Sequence, residues 1–409
     1  MRYLLFLSLL LSGCVAPSQS VVAAREPLAA SDADRIVRDL CDKRLALLGE
    51  ESHHGSARTI AFKVELTRRL MEECQYDGFI IETGLYDFLH IQSRLDAGEP
   101  VDEAMVADAI GGMWANQEME PLIPVLTKRL TSGTLIAGGL DDQVNRGTYA
   151  QREMTRELMP YLAGPRQAEC GAEIERYMSW RYDDAHRFTA ERARFIQGCW
   201  KELETVLAGP AVPADSRARG HLRMVRNLDR FFERQAAVMS RPQEQAGAPQ
   251  DWSDFNHRAR SMFMNLEAFL AQSPRPRKTI VWLATIHAAK SLASLEKDGR
   301  HPISFGTQVQ ERFGDQAFVL GFSALSGSYS LASTPRRYVL EPALEDSLEA
   351  WAFSAHTADT RYLDRGQLRD ARVRAARPLS YAWVTAPWET VMDGLLIFRE
   401  ERPPSAVSR

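Results

Sequence analysis

The sequence predicts an α/β fold with a mostly parallel central sheet flanked by helices and interrupted by a large helical insertion. Three observations carry this expectation. Short apolar runs recur between stretches of helical periodicity, the pattern of buried parallel strands joined by crossover helices. Four of these runs end on an acid or a histidine: Leu45 to Glu50, Gly78 to Glu82, Thr134 to Asp141, and Thr279 to His287. Residues 147–275 contain no strand-like run and are rich in Arg, Glu, Gln and Ala. The expected division is a signal peptide over 1–13, a tether over 14–30, a first α/β part over 31–146, the insertion over 147–275 and a second α/β part over 276–402.

At the N-terminus, Arg2 precedes the apolar stretch Tyr3 to Leu11 and then Leu11-Ser12-Gly13-Cys14. A membrane span needs about 20 apolar residues, so this shorter stretch fits a secretory signal instead. Its ending resembles a bacterial lipobox, which would make Cys14 the acylated first residue of a lipoprotein. Val15 in the next position implies the outer membrane of the cell envelope, with the body facing the periplasm. Residues 15–30, small and polar with Pro17 and Pro27, read as the tether.

Ser31-Asp32-Ala33-Asp34 is a helix start, and that helix should end near Leu40. Strand 45–50 follows, then a crossover helix over 57–74 with Ile60, Val64, Leu66, Leu70 and Met71 at helical spacing, then strand 78–82. Helices near 86–96, 102–112 and 118–131 lead to strand 134–141. Within the insertion, Gly209 to Pro213 and Ser240 to Pro249 read as loops. Strands resume at 279–287 and 317–323, then 336–341, 380–385 and 392–398.

Composition narrows the partners. A net charge of −4 is too mild for a nucleic-acid partner, and the membrane contact expected is the lipid anchor alone. Cys41, Cys74, Cys170 and Cys199 remain once Cys14 is acylated, an even number in an oxidising compartment. Cys41 and Cys74 each lie shortly before a strand, so if those strands are neighbours the thiols share a sheet edge. Cys41 to Cys74 and Cys170 to Cys199 are the preferred bridges, with four buried thiols as the alternative.

In a parallel sheet the carboxyl ends of the strands converge on one crevice, which gathers Glu50, Glu82, Asp141 and His287. The first run continues into Glu51-Ser52-His53-His54-Gly55-Ser56. An imidazole held by a carboxylate can take a proton from water near neutral pH; the plain alternative is helix capping by Ser52 or Ser56. Glu82 needs a cation, which could be site chemistry or an ion pair with Arg58 or Lys63. A two-histidine, one-carboxylate metal site is conceivable from His53, His54 and His287, but no zinc signature is present. The reading requires no cofactor and leaves a divalent metal open. No Gly-x-Ser-x-Gly elbow or Walker loop occurs, which favours histidine-activated water over a nucleophilic serine.

At this point the chain resembles the erythromycin esterase family, hydrolases whose best-known members open macrolide lactones. The family's Gly-Glu-x-Ser/Thr-His-Gly-Ser/Thr motif is similar to Gly49-Glu50 with Ser52 to Ser56, here with one extra residue. Counting from the helix side, Gly55, Ser56, Lys63, Leu66 and Leu70 fall into register and make His54 the base. Counting from the strand side pairs Glu50 with His53, which stays in reserve. Glu82 matches the family's second glutamate, Gly139 to Gln143 its Gly-Phe-Asp-x-Gln, and Arg258, Met262 and Asn265 its Arg-Asp-x-x-Met-x-x-Asn helix. Phe305-Gly306 and Gly321-Phe322 through Gly327-Ser328 match too. The family's His-Asn-x-His corresponds to Ala284-Thr285-Ile286-His287, which keeps the second histidine alone, and the Asp of the helix motif is Ala259. The doubled His53-His54 could supply the missing imidazole.

The resemblance implies hydrolysis of a small-molecule ester or lactone. His54 (or His53) would deprotonate water, Glu50 or Glu51 would orient it, Glu82 would balance the imidazole's charge, and Lys63 with His287 would steady the oxyanion. Lys63, Asp141, Gln143, Trp114 and Arg258 form the expected substrate-binding set. Two other outcomes are open: a haem- or metal-binding surface lipoprotein of the same fold group, and an inactive family member.

Overall fold

A computed structural model of the chain describes residues 31–213, 215–241, 251–273, 277–297, 299–332 and 334–407. The signal peptide, Cys14, the tether and most of the loop expected at 240–249 lie outside these. Among the described residues no helix is long and apolar enough to cross a membrane.

The described residues form ten strands: β1 Leu45–Leu48, β2 Gly78–Gly84, β3 Ile136–Asp141, β4 Thr279–Trp282, β5 Ala317–Leu331, β6 Thr334–Val339, β7 Thr360–Asp364, β8 Val373–Leu379, β9 Ala382–Pro387 and β10 Gly394–Glu401. The central sheet runs β3-β2-β4-β1-β5-β10-β7, with β6 hydrogen-bonded to β5. Pairing is parallel from β3 through β10 and antiparallel at β7 and β6. The fold is therefore α/β with a mostly parallel sheet, and the four runs that end on an acid or a histidine are four adjacent strands. β8 and β9 form a separate hairpin.

Alternation along the strands divides the apolar side chains between two faces. Ala46, Leu48, Phe79, Ile81, Ile280 and Trp282 pack with the helices Asp32–Cys41, Ala57–Glu73 and Leu122–Thr131. Leu45, Leu47, Ile80 and Val281 pack on the other side against Met262, Leu266 and Phe269 of the helix Ser253–Leu270. Burial on both faces is why these strands read as unbroken apolar runs. The helices between Tyr149 and Met239 enclose a third core around Met154, Ile174, Trp200 and Phe232.

Several expectations need correction. The run 279–287 is not one strand: β4 stops at Trp282, and His287 sits in a short helix, Thr285–Ala288. β5 continues far past 323, because its second half pairs with β6 and with the end of β10. β7 and β8 gave no strand signal in the sequence, being short or carrying Arg and Pro in alternation. The sulfurs of Cys41 and Cys74 are joined, as are those of Cys170 and Cys199, but the premise of neighbouring strands fails, since β4 lies between β1 and β2. Cys41 meets Cys74 because each closes a helix, and those two helices pack together on one face of the sheet.

Candidate active site

The turn after β1 is fixed from three sides. The Gly49 amide donates to the Leu320 carbonyl at 2.9 Å and the Glu50 carbonyl accepts from the Thr285 amide at 2.8 Å, so β5 and the short helix after β4 grip its start. Its far side pairs with the extension of β5: Ser330 N donates to Gly55 O and Ala332 N to His53 O, each at 2.9 Å. The approach is so close that a Cβ on Gly55 would stand 1.8 Å from the Ser330 carbonyl oxygen. Between these anchors His54 adopts φ +61°, a left-handed conformation that side chains rarely hold without support and that gathers at functional sites.

This backbone turns the His54 imidazole onto Glu50. His54 Nδ1 hydrogen-bonds Glu50 Oε2, and among the described residues no hydrogen bond engages Nε2. The other oxygen, Glu50 Oε1, accepts from Lys63 Nζ at 2.9 Å, Trp282 Nε1 at 2.5 Å and Trp114 Nε1 at 3.4 Å. The Trp114 ring also lies 4.5 Å from that of His54. Burial pushes the Glu50 carboxyl up, but Lys63 and His54 pull it down to about 2, so it is anionic. Burial works against charge on His54, and Glu50 outweighs it, leaving the imidazole above its ordinary value of 6.5. Burial pushes Lys63 down to about 8 against the pull of Glu50.

A second cluster is built around Arg258. Its guanidinium forks onto Asp141, with Nε 3.0 Å from Oδ1 and NH2 2.8 Å from Oδ2. It also reaches Glu82 Oε1 at 3.0 Å and His287 Nε2 at 3.1 Å. A guanidinium offers donors alone, so His287 Nε2 accepts and the proton sits on Nδ1. That Nδ1 is buried and has no partner among the described residues. Burial and the Arg258 charge hold His287 down to about 4 despite Glu82, which keeps it neutral at pH 7. Burial raises the Glu82 carboxyl, yet His287, Arg258, His54 and the Ala284 amide bring it down to about 2. With His287 neutral, the charge on Glu82 is met mainly by Arg258. Ala284, where the family motif has its first histidine, donates its amide to Glu82 Oε2 at 2.7 Å.

Several sequence assignments change. Glu51 turns away from His54: its Oε1 accepts from Tyr381 OH at 2.8 Å and Thr59 Oγ1 at 2.9 Å, so it cannot orient the imidazole. His53 is exposed, and its backbone rather than its ring is engaged. The turn satisfies both counts of the motif at once, taking Glu50 from the strand side and His54 from the helix side, with the left-handed residue absorbing the insertion. Lys63, fully buried against Glu50 and 4.0 Å from the Trp282 ring, has no access to a substrate oxyanion. Trp114 is likewise a buried neighbour of the dyad. Arg258 is spent on Asp141 and Glu82, and Asp142 on Arg234 at 2.7 Å. Gln143 stays half-buried, with no side-chain hydrogen bond to the cluster among the described residues.

Neither alternative partner of Glu82 is realised, since Arg58 pairs with Asp359 and Lys63 with Glu50. Capping by serine fails too. The Ser56 side chain makes no cap bond, and the first amides of the helix Ala57–Glu73 go to Glu401, Arg58 N at 2.7 Å and Thr59 N at 3.1 Å. The sequence reading missed Glu401, the last residue of β10, because Arg399 and Glu400 separate it from the apolar run Leu395 to Phe398. It also missed Trp282, hidden as one more apolar residue in β4. Among the described residues no three His, Cys, Asp or Glu side chains are grouped to hold a metal ion. A cavity of about 730 Å³ opens beside Gly111 and Gly112, which lead into Trp114, and is lined further by Asp87, Tyr149 and Arg152.

Comparison with known proteins agrees with this architecture. The erythromycin esterase family model matches residues 71–388, which leaves the Glu50–His54 turn outside the matched segment. A candidate hydrolase of Bacillus subtilis (strain 168), YbfO, is 24% identical over 351 residues, covering 80% of this chain and 76% of the relative. Among solved structures, a succinoglycan biosynthesis protein superposes with a TM-score of 0.67 at 14% identity, over 94% of each chain. The open conformation of a mutant of the erythromycin esterase EreC gives 0.62 at 15% identity, over 92% of this chain and 95% of that one.

Proposed function

The chain belongs to the erythromycin esterase family of hydrolases, and from that premise we propose that it cleaves a carboxylic ester or lactone with water activated by His54. The observation that carries this reading is the buried Glu50–His54 pair with Nε2 left free. Glu50 fixes the proton on Nδ1, so Nε2 is the basic nitrogen, as in other carboxylate–imidazole pairs. Nε2 takes a proton from water as the water oxygen attacks the carbonyl carbon. The imidazolium that forms is stabilised by Glu50, itself held anionic by Lys63 and two indoles. As the tetrahedral intermediate collapses, His54 returns the proton to the leaving alkoxide. No step in this scheme calls for a metal.

The pH profile tests the base directly. A base must be unprotonated, and the pKa of His54 is raised, so activity is lost as pH falls through a value above 6.5. The acid limb of kcat/KM is therefore expected above 6.5; a limb at about 4–5, the carboxylate range, would remove His54 from the role. We also propose that the hydrolase is a lipoprotein tethered through Cys14, with two disulfides suited to an oxidising envelope compartment. Detergent-phase partitioning should be lost in Cys14→Ser; unchanged partitioning would refute the anchor.

A further inference from the structure

A second cavity, of about 500 Å³, lies between the β5–β6 hairpin and the β8–β9 hairpin, with Tyr381 in its wall. Its walls alternate cations and rings. The Arg377 guanidinium stands 4.7 Å from the Trp383 ring and that of Arg336 5.1 Å from the Tyr338 ring. Tyr329 packs on both Tyr338 and Tyr381, with centroids 5.4 and 4.6 Å apart. Arg337 donates to Ser328 Oγ at 2.9 Å.

The charge here is unbalanced. Glu341 is the acid in the lining, beside the guanidinium groups of Arg337 and Arg377. Arg377 is buried, and its guanidinium donates to the carbonyls of Ala324, Leu325 and Glu341. The nearby Glu349 takes the Arg377 backbone amide instead. Among the described residues no carboxylate oxygen lies within 4.0 Å of the Arg337 or Arg377 guanidinium. A buried cation satisfied by neutral carbonyls leaves a positive field in the concavity above it. Aromatic walls at ligand scale add stacking surface for a flat apolar body.

We propose that this cavity is a binding site for a planar aromatic carboxylate, with the rings stacking on its body and the arginines taking its charge. The site is separate from the hydrolytic one, and Tyr381 links the two through its bond to Glu51. The probe is 1-naphthoate, titrated into the full chain by calorimetry, with 1-naphthylmethylammonium as the cation of matched shape. The expected result is saturable binding of the anion, weakened at least about tenfold in Arg337→Ala and in Trp383→Ala, and unchanged in His54→Ala. Both substituted side chains reach solvent, and circular dichroism checks that each variant is folded. Absence of naphthoate binding, equal binding of the cation, or binding that both variants leave intact would overturn the proposal. Because the readout is binding, loss of turnover in His54→Ala bears on the hydrolytic reading alone.

Discussion

His54→Ala should lower kcat/KM for any ester the protein cleaves by about 10²–10⁴-fold, the usual worth of a positioned general base, while His53→Ala leaves turnover close to that of the unaltered protein. The asymmetry follows from the turn. His54 is buried on Glu50 with φ +61°, whereas His53 is exposed and joined to the β5 extension through its carbonyl. Steady-state kinetics on the two variants decide the point, and equal losses would mean that the doubled histidine acts as a pair. Glu50→Gln provides the companion measurement. It keeps the shape of the side chain but removes the charge that stabilises the imidazolium, so kcat should fall more than KM changes.

The second large effect is on stability. Glu50 and Lys63 form an ion pair in which both side chains are almost wholly buried, at 2.9 Å. Removing one partner strands a charge in a medium that cannot solvate it, a loss of about 3–5 kcal/mol. Glu50→Leu and Lys63→Met should each show it as a lowered midpoint in urea. The double variant should recover most of that loss, because an apolar pair in place of a buried ion pair is often neutral in cost. Additive losses in the double variant would show that the two residues act independently and that Lys63 does not hold Glu50.

The parts of this architecture legible in the sequence were those written in strong periodicity. Buried parallel strands appear as apolar runs, and the expected convergence of adjacent strand ends holds for Glu82 and Asp141, which share Arg258 with His287, while Glu50 belongs to the neighbouring cluster on His54. What stayed hidden depends on which way a side chain turns. Nothing in Glu50-Glu51 tells which carboxylate faces the imidazole, since consecutive residues leave a strand on opposite sides; Glu50 reaches His54 and Glu51 reaches Tyr381, some 330 residues away in sequence. Lys63 looked available to a substrate because its helix position matched a motif, and its burial under Trp282 is a tertiary fact. Arg258 bridges Asp141, Glu82 and His287 from a helix about 117 residues beyond the first of them, which no local pattern encodes. The capping of the helix Ala57–Glu73 by Glu401 is long-range in the same way.

The measurement that bears most directly on the central claim is hydrolysis of a panel of aryl esters and lactones by the mature chain, with and without a strong chelator, beside the His54→Ala variant. The account predicts turnover of at least one substrate that survives chelation and disappears in the variant. Turnover that persists in the variant, or that the chelator abolishes, would contradict water activation by the Glu50–His54 pair.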